Sequence, residues 1–316
     1  MSERIISDLI LPQRRLLQEV YWQVRRTALE ELAEGWKDDP DILPLLKTYA
    51  QSDNYWQVRR TALEELAEGW KDDPDILPLL KTYAQPDNHW GIRGVALEEL
   101  AEGWKDDPDI LPLLKTCAQS DNHWVVRGIA LRELVKGWKN NPDTLPILQS
   151  RAQSDENEYV RRLALQRLAK GWKNNSDILN WLKTFVLSDN TFDVRQATIK
   201  ALAKNWMDNP EAIPWLKALV QLDNDLYIRI AGLQKLAEDW KDEPGILEFL
   251  CDRAINDPFE CQELWEDNPR LAALEAIIEQ YPGHPQTLAL LRDRAENDPD
   301  EKVREFAKRV NNSQRL

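Results

Sequence analysis

Three cysteines, three histidines and two methionines in 316 residues leave little material for redox or metal chemistry. Cys117, Cys251 and Cys261 show no metal-ligand spacing and predict free thiols in a reducing compartment. No Gly-Lys dipeptide occurs, which removes the phosphate-cradling loop of nucleotide hydrolases. G-x-S-x-G, H-E-x-x-H and C-x-x-C are also missing, and with them the nucleophile elbow, the zinc-protease pair and the dithiol motif. No apolar run approaches a membrane span, and the opening Met1, Ser2, Glu3, Arg4 is too charged for a signal peptide, so a cytoplasmic protein is expected. Positive charge is in deficit: 41 Lys and Arg face 55 Asp and Glu, a net −14. Binding to nucleic acid or to an anionic membrane needs a basic face and is disfavoured. Catalysis, a cofactor and a bound metal are not expected; a protein partner is.

What the chain has instead is periodicity. A Val-Arg or Ile-Arg pair recurs every 34 residues, at Val24-Arg25, Val58-Arg59, Ile92-Arg93, Val126-Arg127, Val160-Arg161, Val194-Arg195 and Ile228-Arg229, and returns at Val303-Arg304. A fixed period of this size marks a repeat array. Each unit holds two amphipathic segments. The first spaces Ile76, Leu79, Leu80 and Tyr83 as a helix does. Either Asp75 caps it, with Pro78 in the first turn, or Asp73 does, with Pro74 at the first helical position and Pro78 bending the helix. The second runs from about Trp56 to Trp70, with Val58, Ala62, Leu66 and Trp70 in one stripe and Glu64, Glu65 and Glu68 largely outside it. Gly69 and Pro74 are stop signals. Neither segment can bury its stripe alone, whereas stacked pairs share a continuous core. The recurring Trp36, Trp70, Trp104, Trp138, Trp172, Trp206 and Trp240 is read as core, each burying about 200 Å², roughly 5 kcal/mol before entropy costs.

The expected architecture is an all-α solenoid of about nine stacked antiparallel helix pairs spanning residues 1–316, with no linker. Residues 1–20 read as a degenerate capping helix and 21–241 as regular repeats. Residues 242–316 read as two divergent capping repeats, with an enlarged loop at 256–268. Blocks 21–54 and 55–88 differ only at Ser52 against Pro86, the mark of recent duplication or of construction from a consensus.

The tetratricopeptide pattern, another 34-residue repeat, is absent. An Asp-rich turn leading into Val-Arg, plainest at Asn297, Asp298, Pro299, Asp300, Glu301, Lys302, Val303 and Arg304, resembles the HEAT repeat, of the sort also seen in phycobilin-lyase-like proteins. The resemblance implies that each turn Asp pairs with an Arg of its own or an adjacent unit. The candidates are Asp53 with Arg59, Asp87 with Arg93, Asp121 with Arg127, Asp155 with Arg161, Asp189 with Arg195, Asp223 with Arg229 and Asp298 with Arg304. Residues 250–260, 265–270 and 291–307 are similar to the C-terminal end of cyanobacterial NACHT-type NTPases, whose arrays resemble these units. That likeness implies a sensing array, while the missing phosphate loop keeps NTP hydrolysis from being carried over. The alternatives are a phycobilin-lyase-like enzyme or pigment-protein chaperone, and an engineered consensus scaffold.

Because the scaffold is held constant, variation between units points to recognition. It clusters at the start of the second helix: Tyr55, Gln57, His89, Gly91, Gly94, Val95, His123, Val125, Gly128, Tyr159, Arg162 and Tyr227 are the candidate partner surface, with neutral drift as the alternative. His89 and His123 share one repeat position and should lie close together, but two imidazoles make no metal site. Glu64/Glu68 and Glu98/Glu102 give way to Arg132/Lys136, then Lys170 and Lys200/Lys204, a candidate basic stripe for an acidic partner or else a solvated face.

Overall fold

The computed structural model describes residues 21–86, 88–189, 191–258 and 267–313. Among them every regular element is an α-helix. In order these are α1 (Trp22–Gly35), α2 (Ile42–Ser52), α3 (Trp56–Gly69), α4 (Ile76–Tyr83), α5 (Trp90–Gly103), α6 (Ile110–Ser120), α7 (Trp124–Trp138), α8 (Thr144–Ser154) and α9 (Glu158–Gly171). They continue with α10 (Ser176–Ser188), α11 (Phe192–Asn205), α12 (Ala212–Leu222), α13 (Leu226–Asp239), α14 (Ile246–Asn256), α15 (Pro269–Gln280), α16 (Pro285–Asn297) and α17 (Glu301–Ser313). The expected capping helix in 1–20, Asp87 and most of the enlarged loop lie outside the described residues. The chain is an α-solenoid. Its contacts divide it into two compact units, Met1–Arg167 and Leu168–Leu316, with the division falling inside α9.

In the first unit α2 packs on α3, α4 on α5 and α6 on α7, while α1, α3, α5 and α7 touch in sequence. The odd-numbered helices thus form a row flanked by the even-numbered ones. Val58, Ala62, Leu63 and Leu66 of α3 are fully buried, as are Ile76 and Leu80 of α4, and the equivalent residues repeat this along the row. Truncating one of these leucines to Ala should cost about 2–5 kcal/mol. The two readings of the even-helix start resolve into a shared turn. The helix begins at Ile76, so Pro78 sits in the first turn, where its missing N–H is harmless. Asp75 makes no side-chain cap; the Asp73 carboxylate accepts the Asp75 N–H at 3.0 Å instead.

The second unit repeats the arrangement. There α10 packs on α11, α12 on α13, α14 on α15 and α16 on α17, with α11, α13, α15 and α17 in sequence. Trp206 and Trp240 are buried here, and the Trp240 indole N–H donates to the Met207 carbonyl at 3.2 Å. The reading of the Trp row as core needs correction for Trp36, Trp70, Trp104 and Trp138 of the first unit and for Trp172 of the second, all of them only half-buried. Trp36, Trp70 and Trp104 follow their helices as C-caps. Lysines lie over the rings: Lys37 over Trp70, Lys71 over Trp104 and Lys105 over Trp138, at 5.9, 5.8 and 5.8 Å. Such an ammonium covers a ring face while keeping its own hydration.

Candidate binding surface

The turns set the register of the surface. Arg127 meets Asp155 through two bonds, Nε at 2.8 Å and Nη2 at 2.6 Å, with both side chains buried. Arg93 holds Asp121 in the same way, as Arg25 holds Asp53. In the second unit Arg195 pairs with Asp223, Arg229 with Asp257 and Arg270 with Asp298. The carboxylate therefore goes to the Arg of the preceding repeat. The same-repeat pairings are corrected for Asp53 with Arg59, Asp121 with Arg127, Asp155 with Arg161, Asp223 with Arg229 and Asp298 with Arg304. Within a repeat the Arg bonds the backbone instead: Arg127, Arg161 and Arg304 donate to the carbonyls of Asp121, Asp155 and Asp298 at 2.9, 2.9 and 2.7 Å. The turn fixes the carboxylate locally: Asp53, Asp121, Asp155, Asp223 and Asp298 each accept the N–H two residues on, as Asp121 does from His123 at 2.8 Å, and Arg93 then takes both Asp121 oxygens. Asp189 closes its turn through the Thr191 N–H, and Arg195 Nε donates to the Val186 carbonyl. Lysines run a second ladder that the sequence reading missed: Lys47 to Asp73 and Asp75, Lys81 to Asp107 and Asp109, and Lys115 to Asp143. Its signal was there, since Lys and Asp recur with the same period.

On this frame the starts of the odd helices bring aromatic rings into a continuous ribbon. His89 stacks on Trp56 at 5.1 Å, Trp90 lies 5.1 Å from His89, and His123 stacks on Trp90 at 4.7 Å with the planes 3° apart. Trp124 follows at 5.9 Å from His123, and Tyr159 meets Trp124 edge-on at 5.0 Å. Trp56, Trp90 and Trp124 were not singled out from the sequence, although they share the 34-residue period with Trp22. Trp124 and Tyr159 are exposed at 37% and 41%. His89 and His123 sit at N-caps, where Nδ1 accepts the N–H of Gly91 at 3.1 Å and of Val125 at 3.3 Å. Burial lowers both imidazole pKa values from 6.5, Arg59 adding to the effect at His89 and Arg93 at His123.

The other candidate residues divide. Tyr55 is exposed beneath the Arg25 guanidinium, and Arg162 lies over the Tyr159 ring. Gln57 and Val125 are half-buried. Gly91, Gly94, Val95 and Gly128 are buried, so they present no surface, which corrects the expectation. A Cβ on Gly91 would stand 2.6 Å from the Trp56 ring; the glycine is what lets that ring lie across the next helix start. Tyr227 belongs to the second unit, where it pairs with Phe192 at 5.2 Å.

The basic stripe is also corrected. Arg132 pairs with Glu98 and Glu133, and Lys136 with Glu102 at 2.8 Å, so their charge is spent on α5 and on their own helix. Lys170, Lys200 and Lys204 are exposed in the second unit, Lys200 bonding Gln196. Ahead of α7 the row is acidic. Burial, and then the charges of Glu68, Glu30, Glu34 and Glu64, push Glu65 up to about 7. Burial, with Glu64, Glu102, Glu98 and Glu68, does the same to Glu99.

A family model for HEAT repeats matches residues 14–101, 86–169 and 145–237. The chain belongs to the HEAT-repeat family. Among solved structures, this HEAT array is similar to Kap121p, at 17% identity and a TM-score of 0.56, covering 99% of this chain and 37% of that one. It is similar to yeast importin-β (Kap95p) at 13% identity and 0.50, covering 98% and 51%. YibA of Escherichia coli aligns at 20% identity and 0.48 over 90% and 96%. The likenesses to Kap121p and importin-β concern the fold. No curated protein sequence matches. Among the described residues no helix is long and apolar enough to cross a membrane.

Proposed function

We propose that the chain is a non-enzymatic protein-interaction scaffold whose first unit binds its partner on the outer face of α3, α5, α7 and α9. The observation that carries this is the aromatic ribbon from Trp56 to Tyr159, which crosses four helices and ends in exposed rings. Half-exposed aromatic rings on a rigid frame are the residues that supply most binding energy at interfaces. A fold neighbour, Kap121p, has been solved bound to Nup53p, so a solenoid of this kind does take a protein ligand. The finer reading is a sensing array of a NACHT-type signalling system. Its support is the similarity of residues 250–260 and 291–307 to the C-terminal ends of that family. The test is affinity capture from lysate with the wild type and with Trp124→Ala plus Tyr159→Ala. Partners held by the wild type should be lost by the double variant while its circular dichroism is unchanged. Equal capture by both would remove the ribbon from the interface.

A further inference from the structure

The exposed end of the ribbon carries a cation with nothing to hold. The Arg162 guanidinium lies over the Tyr159 ring at 5.6 Å, and among the described residues it makes no hydrogen bond and no ion pair. Arg26 and Arg60, at the same repeat position, are spent on Glu30 and Glu64 four residues on, at 3.3 and 2.8 Å. Four residues beyond Arg162 stands Gln166, an exposed side chain with no charge to offer. Glu158, one turn earlier, is exposed and forms no ion pair with it, the guanidinium being laid over the ring instead.

The field around the ribbon has the same sign. Burial comes first in lowering the His89 imidazole, then Arg59, with Arg93 adding to it. At His123 burial again comes first; Arg93 then lowers the imidazole more than Asp121 raises it, and Arg127 lowers it further. Arg25, Arg93 and Arg127 are themselves tied to turn carboxylates, whereas Arg162 is open to a ligand.

We propose that this end of the ribbon holds an acidic segment of the partner, with an Asp or Glu side chain on Arg162 and the apolar side chain beside it against Trp124 and Tyr159; this rests on the scaffold reading above. A planar guanidinium takes a carboxylate through two parallel bonds, and stacking on a ring orders it beforehand. Trp124 and Tyr159 are exposed at the same place and supply the apolar contact that a lone ion pair in water lacks. A basic segment meets repulsion from Arg162 and from the arginines around the histidines. A long polyanion meets the −14 of the whole chain, whereas a short acidic segment feels chiefly the charges within a Debye length, about 8 Å.

The test is fluorescence anisotropy of labelled (Glu-Phe-Gly)4 with the full chain, set against (Gln-Phe-Gly)4, (Lys-Phe-Gly)4 and an oligothymidylate of equal length. The acidic peptide should bind roughly fivefold more tightly than the glutamine peptide and roughly tenfold more tightly than the other two. Arg162→Gln should bring the acidic peptide down to the level of the glutamine peptide and leave the latter unchanged, with helical content intact. Arg162→Lys, which keeps the charge but not the fork, should fall between. Trp124→Ala should weaken both phenylalanine peptides, acidic and neutral, by a similar factor. An Arg162→Gln loss shared equally by both peptides, or no loss at all, would overturn the proposal. So would no binding of the acidic peptide, indifference to Trp124→Ala, or equal binding of the lysine peptide or the oligothymidylate. If the acidic peptide fails while Trp124→Ala with Tyr159→Ala still loses the captured partner, the scaffold reading stands and only the ligand class falls. If partner capture survives that double substitution, the scaffold reading itself fails.

Discussion

Trp70 in the first unit and Trp206 in the second stand at one place in the repeat, yet Trp70 is half-buried and Trp206 is sealed. The backbone around them is alike, each ring following an odd helix as its C-cap. What differs is the company. Trp70 lies under Lys37 and is followed by Lys71, which covers the next ring. Trp206 is followed by Met207, whose carbonyl takes the Trp240 indole proton. The helix starts differ too: the first unit carries a six-ring ribbon, the second the Phe192–Tyr227 pair. A repeat fixes where a side chain begins; the neighbouring repeat decides whether it becomes core or surface.

The comparison can be broken hardest at the turns. Asp155→Ala takes from the buried Arg127 guanidinium its two-bond carboxylate, leaving only the exposed Glu156 at 3.5 Å and the Asp121 carbonyl, and should cost roughly 3–5 kcal/mol in urea unfolding. Asp223→Ala should cost less, because Arg195 keeps Asp225 at 3.1 Å and the Val186 carbonyl. Equal losses would mean that the two turns are energetically alike. Next come the tryptophans. Trp206→Ala should cost about 3–5 kcal/mol and Trp70→Ala about half that, both read from denaturant midpoints at constant slope. A reversed order would show that the lysine cover matters more than burial.

Gly91→Ala should cost about 1–3 kcal/mol and change the near-ultraviolet dichroism, because the new methyl must displace the Trp56 ring. Gly94→Ala meets only the tip of Ile129 and should do less. The smallest effects are in pH. Glu65 and Glu99 are raised from 4.5 to about 7, so their contribution is complete below pH 4.5 and is lost as pH rises through 7. Substituting both by Gln should flatten the fall in thermal midpoint between pH 5 and 8. His89 and His123 have lowered pKa values, so theirs is present above pH 6.5 and lost on acidification, when protonation of Nδ1 breaks both caps. A midpoint rising steadily down to pH 4.5 would contradict the histidine part.

Much of the fold was legible because it rests on short-range spacing. Val58, Ala62 and Leu66 mark a helix face by themselves, and the constant period implies stacking. The candidate site was legible only in part, because it depends on distances between repeats. His89, His123 and Tyr159 stand out because they vary between repeats, whereas Trp56 and Trp90 recur unchanged and so carry no such signal. Gly91 and Gly128 vary as well, but variation records any change of environment, and theirs is the accommodation of a neighbouring ring or leucine. The direction of the Arg–Asp pairing was likewise hidden, since spacing alone favours neither the near repeat nor the far one.

That pairing bears on how such a gene changes length. Arg25 to Asp53, Arg93 to Asp121, Arg127 to Asp155 and Arg195 to Asp223 all bridge 28 positions with the same two chemical ends. Any block of 34 residues can therefore be copied or lost by recombination and the flanking ends will still couple. The near-identity of residues 21–54 and 55–88 is of the kind that such an event, or construction from a consensus, produces.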